Sequence, residues 1–389
     1  MRDLAGTLAE RRRQHLYRQR RIIDSPQEPR LLSDGRKLLS FCSNDYLGLA
    51  NHPEVIASLQ YGATLYGVGS GASHLINGHS RAHHDLELAL ARFCGLPRAL
   101  LFSTGYMANL GVITTLLDRH DVVFQDRLNH ASLIDAARLS GARLRRYPHL
   151  DQATLARLSA ESSNAETLIA SDGVFSMDGD IADVPELLRL AVSSDSWLMI
   201  DDAHGFGVIG EHGRGTREHF GIRDNDARLI MVGTLGKAFG TSGAFVAGSE
   251  ALIETLIQEA RTYIYTTALP PAVAHATLTS LRLVEQEDWR RAHLNSLIRY
   301  FRDAARHYGL PLMTSVTPIQ PLVLGNSEAA LQASDALLDQ GILVSAIRPP
   351  TVPQGQARLR ITLSAAHHIT DVDRLVDALA GLGLQRAEA

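Results

Sequence analysis

Between residues 99 and 247 short apolar runs alternate with stretches whose apolar residues recur every three or four positions. This pattern predicts an α/β domain built on a mostly parallel sheet. The runs 99–103, 122–126, 168–171, 197–201, 229–232 and 243–247 read as strands, and 108–117, 131–140, 151–160 and 185–192 as helices. Long helical patterns from 271 to about 308 then lead into a second β/α unit. It holds IQPLVLG, a helix over 328–340, ILVSAIRPP, ARLRITLSAAH and a final helix. The predicted division is a helical arm and lead-in over 1–40, a large domain over 41–285 and a smaller C-terminal α/β domain over 286–389. Without repeats or a low-complexity linker, the two domains are expected to pack together rather than hang on a tether.

Composition narrows the class of partner. A chain of 389 residues with 45% apolar and 21% charged residues matches multidomain globular proteins. A net charge of -4 supplies no basic excess to favour nucleic acid or an anionic membrane. No apolar run approaches the roughly 20 residues of a bilayer span, and Cys42 and Cys94 show neither disulfide-framework nor metal-type spacing. The expectation is a soluble, cytoplasmic protein that takes small molecules, with no metal site, nucleic acid or membrane among its ligands. The arginine-rich start, MRDLAGTLAERRRQHLYRQRR, carries Asp3 and Glu10, which weakens a transit-peptide reading. A solvated amphipathic helix packed on the main body is the expectation there.

One bias bears on chemistry. Of 38 basic residues only Lys37 and Lys237 are lysines, leaving 36 arginines. A position that resists such a bias needs an amine, because a guanidinium cannot act as a Schiff-base nucleophile. Lys37 lies in the polar turn Ser33-Asp34-Gly35-Arg36-Lys37, where an exposed lysine needs no special cause. Lys237 lies in a glycine-flanked loop directly after an apolar strand, three residues beyond Thr234. A lysine there could equally bind phosphate as a point charge. The preceding strand ends in Asp201, with His204 soon after, and a carboxylate at the mouth of an apolar strand requires a cationic or hydrogen-bonding partner. The first strand runs into Gly105 and Tyr106 at the start of a helix, a place where free N–H groups suit a phosphate. Ligands of open α/β sheets bind beyond the carboxyl ends of the strands, where these residues fall.

Four phrases in this order, Phe41-Cys42-Ser43-Asn44-Asp45-Tyr46-Leu47-Gly48-Leu49, Gly105-Tyr106-x-Ala108-Asn109, Asp201-x-Ala203-His204 and Thr234-x-Gly236-Lys237, resemble the α-oxoamine synthases. These are fold-type I pyridoxal-phosphate transferases, and the resemblance runs from about residue 8 to 384. It implies pyridoxal 5′-phosphate as cofactor, with Lys237 as its Schiff-base anchor and Cα base and Asp201 against the ring nitrogen. His204 and Ser176 would meet the phenolic oxygen, and His130 would stack on the ring. The resemblance further implies phosphate contacts from Gly105, Tyr106 and Thr234, with Thr266 or Thr267 reaching in from a second subunit of a homodimer. The phrases around Ser176, Thr351 and Arg358 are most similar to the member that condenses L-alanine with a pimeloyl thioester of coenzyme A or acyl carrier protein. Glycine acetyltransferase is the near alternative. Arg18, Asn44, His130, Thr351 and Arg360 would contact substrate, and Arg358 is the rival of Arg360 for the amino-acid carboxylate. Ala72 and Asn77 depart from the family's glycine and serine in the segment 69–78.

Overall fold

The larger of two units comprises residues 52–176 and 181–288 of a computed structural model that describes residues 2–162, 165–223 and 226–384. Seven strands form its sheet: β1 (Arg98–Phe102), β2 (Val122–Asp126), β3 (Arg143–Tyr147), β4 (Thr167–Asp172), β5 (Trp197–Asp201), β6 (Leu229–Thr234) and β7 (Ala244–Gly248). Their order is β1-β7-β6-β5-β4-β2-β3. All neighbours run parallel except β7, which is antiparallel to both β1 and β6. Val123, Leu168, Met199, Ile230 and Val246 are fully or almost fully buried. Burial on both faces is what continuous apolar strands require, and helices cover such sheets. Against this sheet core pack Val112 and Ile113 of the helix Gly105–Leu116 and Leu133 and Ala136 of the helix Ala131–Ser140.

β3 is absent from the pattern-based expectation because its residues, Arg-Leu-Arg-Arg-Tyr, are polar and mostly not buried. It is an edge strand, bonded only to β2, and edge strands tolerate charge that central ones do not.

The smaller unit comprises residues 1–51, 177–180 and 289–389. In it an antiparallel hairpin, Arg30–Ser33 with Arg36–Ser40, is extended by the parallel strand Ile342–Leu343. The hairpin turns through Asp34 and Gly35, both at positive φ of 50° and 72°, which suits the Asp-Gly pair of a primed turn. A second antiparallel sheet orders Ile319–Gly325, Ala357–Thr362 and Ser345–Ile347 with the middle one central.

The arginine-rich start does form a helix, Leu4–Arg13, capped by the Asp3 side chain on the Gly6 N–H, but none of its residues is buried. The expected packed amphipathic face is therefore not present. Leu4 and Leu8 remain 68% and 44% exposed, too little apolar burial to hold a helix by packing.

Candidate active site

Three parallel strands deliver polar groups at their carboxyl ends. β4 ends on Asp172, β5 on Asp201 and β6 on Thr234. With Gly105, Tyr106, Asn109, His130, Ser132, Ser176, Ala203, His204 and Lys237 they line one cavity of about 200 Å³. Eight residues expected from the sequence to meet the cofactor thus share one wall: Gly105, Tyr106, His130, Ser176, Asp201, His204, Thr234 and Lys237. Lys237 Nζ lies 2.7 Å from His204 Nε2. Asp201 is buried, and each of its oxygens accepts one hydrogen bond: from Asn109 Nδ2 at 2.7 Å and from the Ala203 N–H at 3.1 Å.

The helix Gly105–Leu116 opens beside them. Its Thr104 cap takes the Met107 N–H at 3.1 Å, while the first-turn amides of Gly105 and Tyr106 belong to the set that helix geometry leaves without intrahelical acceptors. A Cβ built on Gly105 would meet nothing within 4 Å, so the backbone is open to a close anionic ligand. Gly233, by contrast, is a packing requirement, since a Cβ there would stand 2.4 Å from Phe245.

His130 caps the helix Ala131–Ser140. Its N–H donates to Asp172 Oδ2 at 2.9 Å, and its Nδ1 lies 2.7 Å from Ser132 Oγ. Burial, above all, holds its ring below the usual imidazole range; Lys237 adds to this, and Asp201 and Asp135 oppose it. Burial likewise drives the Asp172 carboxyl well above the usual carboxylate range, reinforced by the Asp201 charge. Asn109, Ser132 and Asp172 were not singled out as site residues from the sequence. Asn109 closes the Gly-Tyr-x-Ala-Asn phrase one turn into its helix, and Asp172 ends an apolar run much as Asp201 does, so a signal existed for both.

Thr266 and Thr267 are not part of that cavity's lining. They follow a 72%-exposed Tyr265, and Thr267 pairs across an isolated antiparallel bridge with Ser73. The segment 69–83 holds this loop: Ala268 N–H donates to the Ala72 carbonyl at 3.0 Å, and Ser70 Oγ and His83 Nε2 each reach the Leu269 carbonyl at 2.6 Å. His74, His79 and His83 bring ring nitrogens within 4.8 Å of one another. His83 is nevertheless committed at both ends, since its Nδ1 accepts the Ser80 N–H at 3.0 Å. Through His83 the cluster is tied to the Thr267 loop.

The remaining expected residues lie in the smaller unit. Arg360 directs Nη1 and Nη2 to Asn44 Oδ1 at 3.3 and 3.2 Å, and Arg18 Nη2 reaches Thr351 Oγ1 at 3.3 Å. Arg358 is spoken for: its side chain, 2% exposed, meets Asp178 Oδ1 at 2.6 Å and donates to the Gln356 and Met177 carbonyls. A buried ion pair that loses one partner costs about 3–5 kcal/mol. Arg358→Ala is therefore expected to lower unfolding stability by that order in a denaturant titration, whereas the distinguishing effect of Arg360→Ala is expected to be a rise in the KM for amino acid of about 10- to 100-fold. The opposite assignment would show in exchanged effects.

An amine beside an imidazole, a buried carboxylate and an open helix N-terminus around one cavity are the complement of a phosphorylated, ring-nitrogen cofactor. Sheet order and site together define a fold-type I pyridoxal-phosphate enzyme. The family model for aminotransferase class I and II matches residues 36–379. An 8-amino-7-oxononanoate synthase of Stutzerimonas stutzeri is 61% identical over 378 residues, covering 97% of this chain and 96% of the relative. One from Pseudomonas putida is 61% identical over 379 residues with the same coverage. Among solved structures, a serine palmitoyltransferase from S. paucimobilis with a bound PLP–myriocin adduct superposes with TM-score 0.92 at 30% identity, covering 98% of both chains. A crystal structure of 8-amino-7-oxononanoate synthase from Francisella tularensis gives TM-score 0.77 at 35% identity, covering 89% of this chain and 98% of that one. The chain belongs to the aminotransferase class I and II family and, within it, to the 8-amino-7-oxononanoate synthases. Its cofactor is pyridoxal 5′-phosphate. Among the described residues no helix is long and apolar enough to cross a membrane.

Proposed function

We propose that this protein condenses L-alanine with a pimeloyl thioester, of coenzyme A or acyl carrier protein, to give 8-amino-7-oxononanoate, CO2 and the free thiol for biotin biosynthesis. The observation that carries the reading is the single cavity shared by Lys237, His204 and Asp201, in a chain 61% identical over nearly its whole length to relatives named for that product. When bound, pyridoxal 5′-phosphate supplies the electron sink for the pair left at the amino-acid Cα.

Lys237 would hold the cofactor covalently and, once released, would take the Cα proton. An amine suits both tasks, because it is a nucleophile when neutral and a base when released. Asp201, held by Asn109 and the Ala203 amide, would face the ring nitrogen. His204 and Ser176 would hydrogen-bond the phenolic oxygen, and His130 would lie against the ring. The amides of Gly105 and Tyr106 and the Thr234 hydroxyl would hold the phosphate, joined in a homodimer by Thr266 or Thr267 of the second subunit. Arg360, steadied by Asn44, grips the alanine carboxylate, since a planar guanidinium can bind it bidentately. Arg18 and Thr351, already paired with each other, contact the acyl side. Two unpaired thiols, Cys42 and Cys94, accord with a reducing cytoplasm.

The test is turnover by the purified holoenzyme. L-Alanine with pimeloyl-CoA, or with pimeloyl-acyl carrier protein, is expected to yield the aminoketone and CO2. Turnover confined to glycine with acetyl-CoA would replace this reading with glycine acetyltransferase.

A further inference from the structure

We propose that Asp201, Asn109, Ser132 and His130 form a directed hydrogen-bond relay that holds His130 as the neutral tautomer with its proton on Nε2. The consequence for catalysis rests on the reading above, in which His130 lies against the cofactor ring; the tautomer itself does not.

The direction of each bond follows from what its atoms can do. A carboxylate oxygen is an acceptor, and Asn109 presents its amide nitrogen to Asp201 Oδ2, 2.7 Å away. The same nitrogen also lies 2.7 Å from Ser132 Oγ, and its two hydrogens serve the two contacts. Turning the amide over would set its oxygen against the Asp201 carboxylate. In keeping with the orientation found, Asn109 Oδ1 is a buried atom without a hydrogen-bond partner among the described residues. The helix tolerates an idle acceptor there in order to aim both N–H groups the other way.

Ser132 Oγ, having accepted from Asn109, has its own hydrogen to give, and His130 Nδ1 stands 2.7 Å off. The Ser132 backbone N–H also points at Nδ1, at 3.3 Å. Two donors therefore converge on one ring nitrogen, which must hold a lone pair. The hydroxyl could rotate, but the backbone N–H cannot. A proton placed on Nδ1 would face that fixed donor and remove the helix cap that His130 supplies. In the neutral ring the proton sits on Nε2.

The charged groups around the ring would not enforce this by themselves. Asp201 at the end of β5 and Asp135 on the ring's own helix favour a cation, as would Asp172 at the end of β4 if ionised; Lys237, from the loop after β6, opposes them. Burial, above all, keeps the ring from taking a second proton, and the relay fixes by geometry which nitrogen holds the one that remains. It also ties together the two residues that would meet the cofactor ring: the chain that keeps His130 neutral starts at the carboxylate that would face the ring nitrogen, so a second cation would not lie against a protonated ring. Asn109 and Ser132 are positioning residues.

Heteronuclear NMR of protein carrying 15N-labelled histidine, read in apo and holo forms and with His130→Gln for assignment, tests this directly. Around neutral pH His130 is expected to show an unprotonated Nδ1 and a protonated Nε2. Ser132→Ala removes a donor that stabilises the neutral ring, so the His130 titration midpoint is expected to rise by roughly one pH unit. The acidic limb of kcat/KM for alanine should rise with it, and Ser132→Thr should restore both. A proton on Nδ1 in the wild-type apo protein, or an unmoved midpoint in Ser132→Ala, overturns the relay. If the alanine variant does not fold, the wild-type tautomer alone decides. A protein that failed to use alanine and pimeloyl thioester would leave these spectra unchanged, so the two readings fail separately.

Discussion

Replacing Lys237 with alanine is expected to lower kcat by at least about a thousandfold and to leave no cofactor that borohydride can fix to the chain. Both effects stem from one nitrogen. Position 237 sits at the mouth of β6 with its amine 2.7 Å from His204, and no other described lysine lines the cavity. The 36 arginines cannot substitute, because a guanidinium neither forms the imine nor gives up its proton. Absorbance before and after borohydride, with mass spectrometry of the treated chain, checks the anchoring function; single-turnover Cα deuterium exchange checks the base function. An alanine variant retaining wild-type exchange would assign the base elsewhere.

Asp201→Asn should come next in size, with kcat reduced by roughly 10²- to 10³-fold and cofactor still attached. The amide keeps the shape of the carboxylate but removes the charge that, on the proposed reading, would face the ring nitrogen, and it sets an N–H against a donor, either Asn109 Nδ2 or the Ala203 amide, each of which now reaches a carboxylate oxygen. The KM for alanine should change far less than kcat, because the loss falls on charge that develops after binding. A variant with unaltered kcat would mean that Asp201 does not face the ring nitrogen.

The central strands were legible because burial on both faces leaves an uninterrupted apolar run, as in Leu-Ile-Met-Val of β6. β3 was not, since an edge strand of Arg-Leu-Arg-Arg-Tyr carries no such mark. The assignment of the chain's start to the smaller unit was equally hidden. The pairing of Leu39 with Ile342 joins positions about 300 residues apart, and no local pattern encodes it. Of the site, the residues that need an unusual group stood out: an amine among arginines, a carboxylate at a strand mouth. Ser132 and Asn109 did not. Each is an ordinary helix residue by type, and its importance lies in which atom of a neighbouring strand or cap it faces, which only the packed helices define.

The central claim, a condensation that expels the alanine carboxylate only after the acyl group has been joined, is tested most directly by following 13CO2 from L-[1-13C]alanine bound to the holoenzyme. Release is predicted to stay negligible with alanine alone and to begin, matched one for one with free thiol, when the pimeloyl thioester is added. Release without thioester would make the protein a simple decarboxylase, and thiol formation without labelled CO2 would contradict the decarboxylative step.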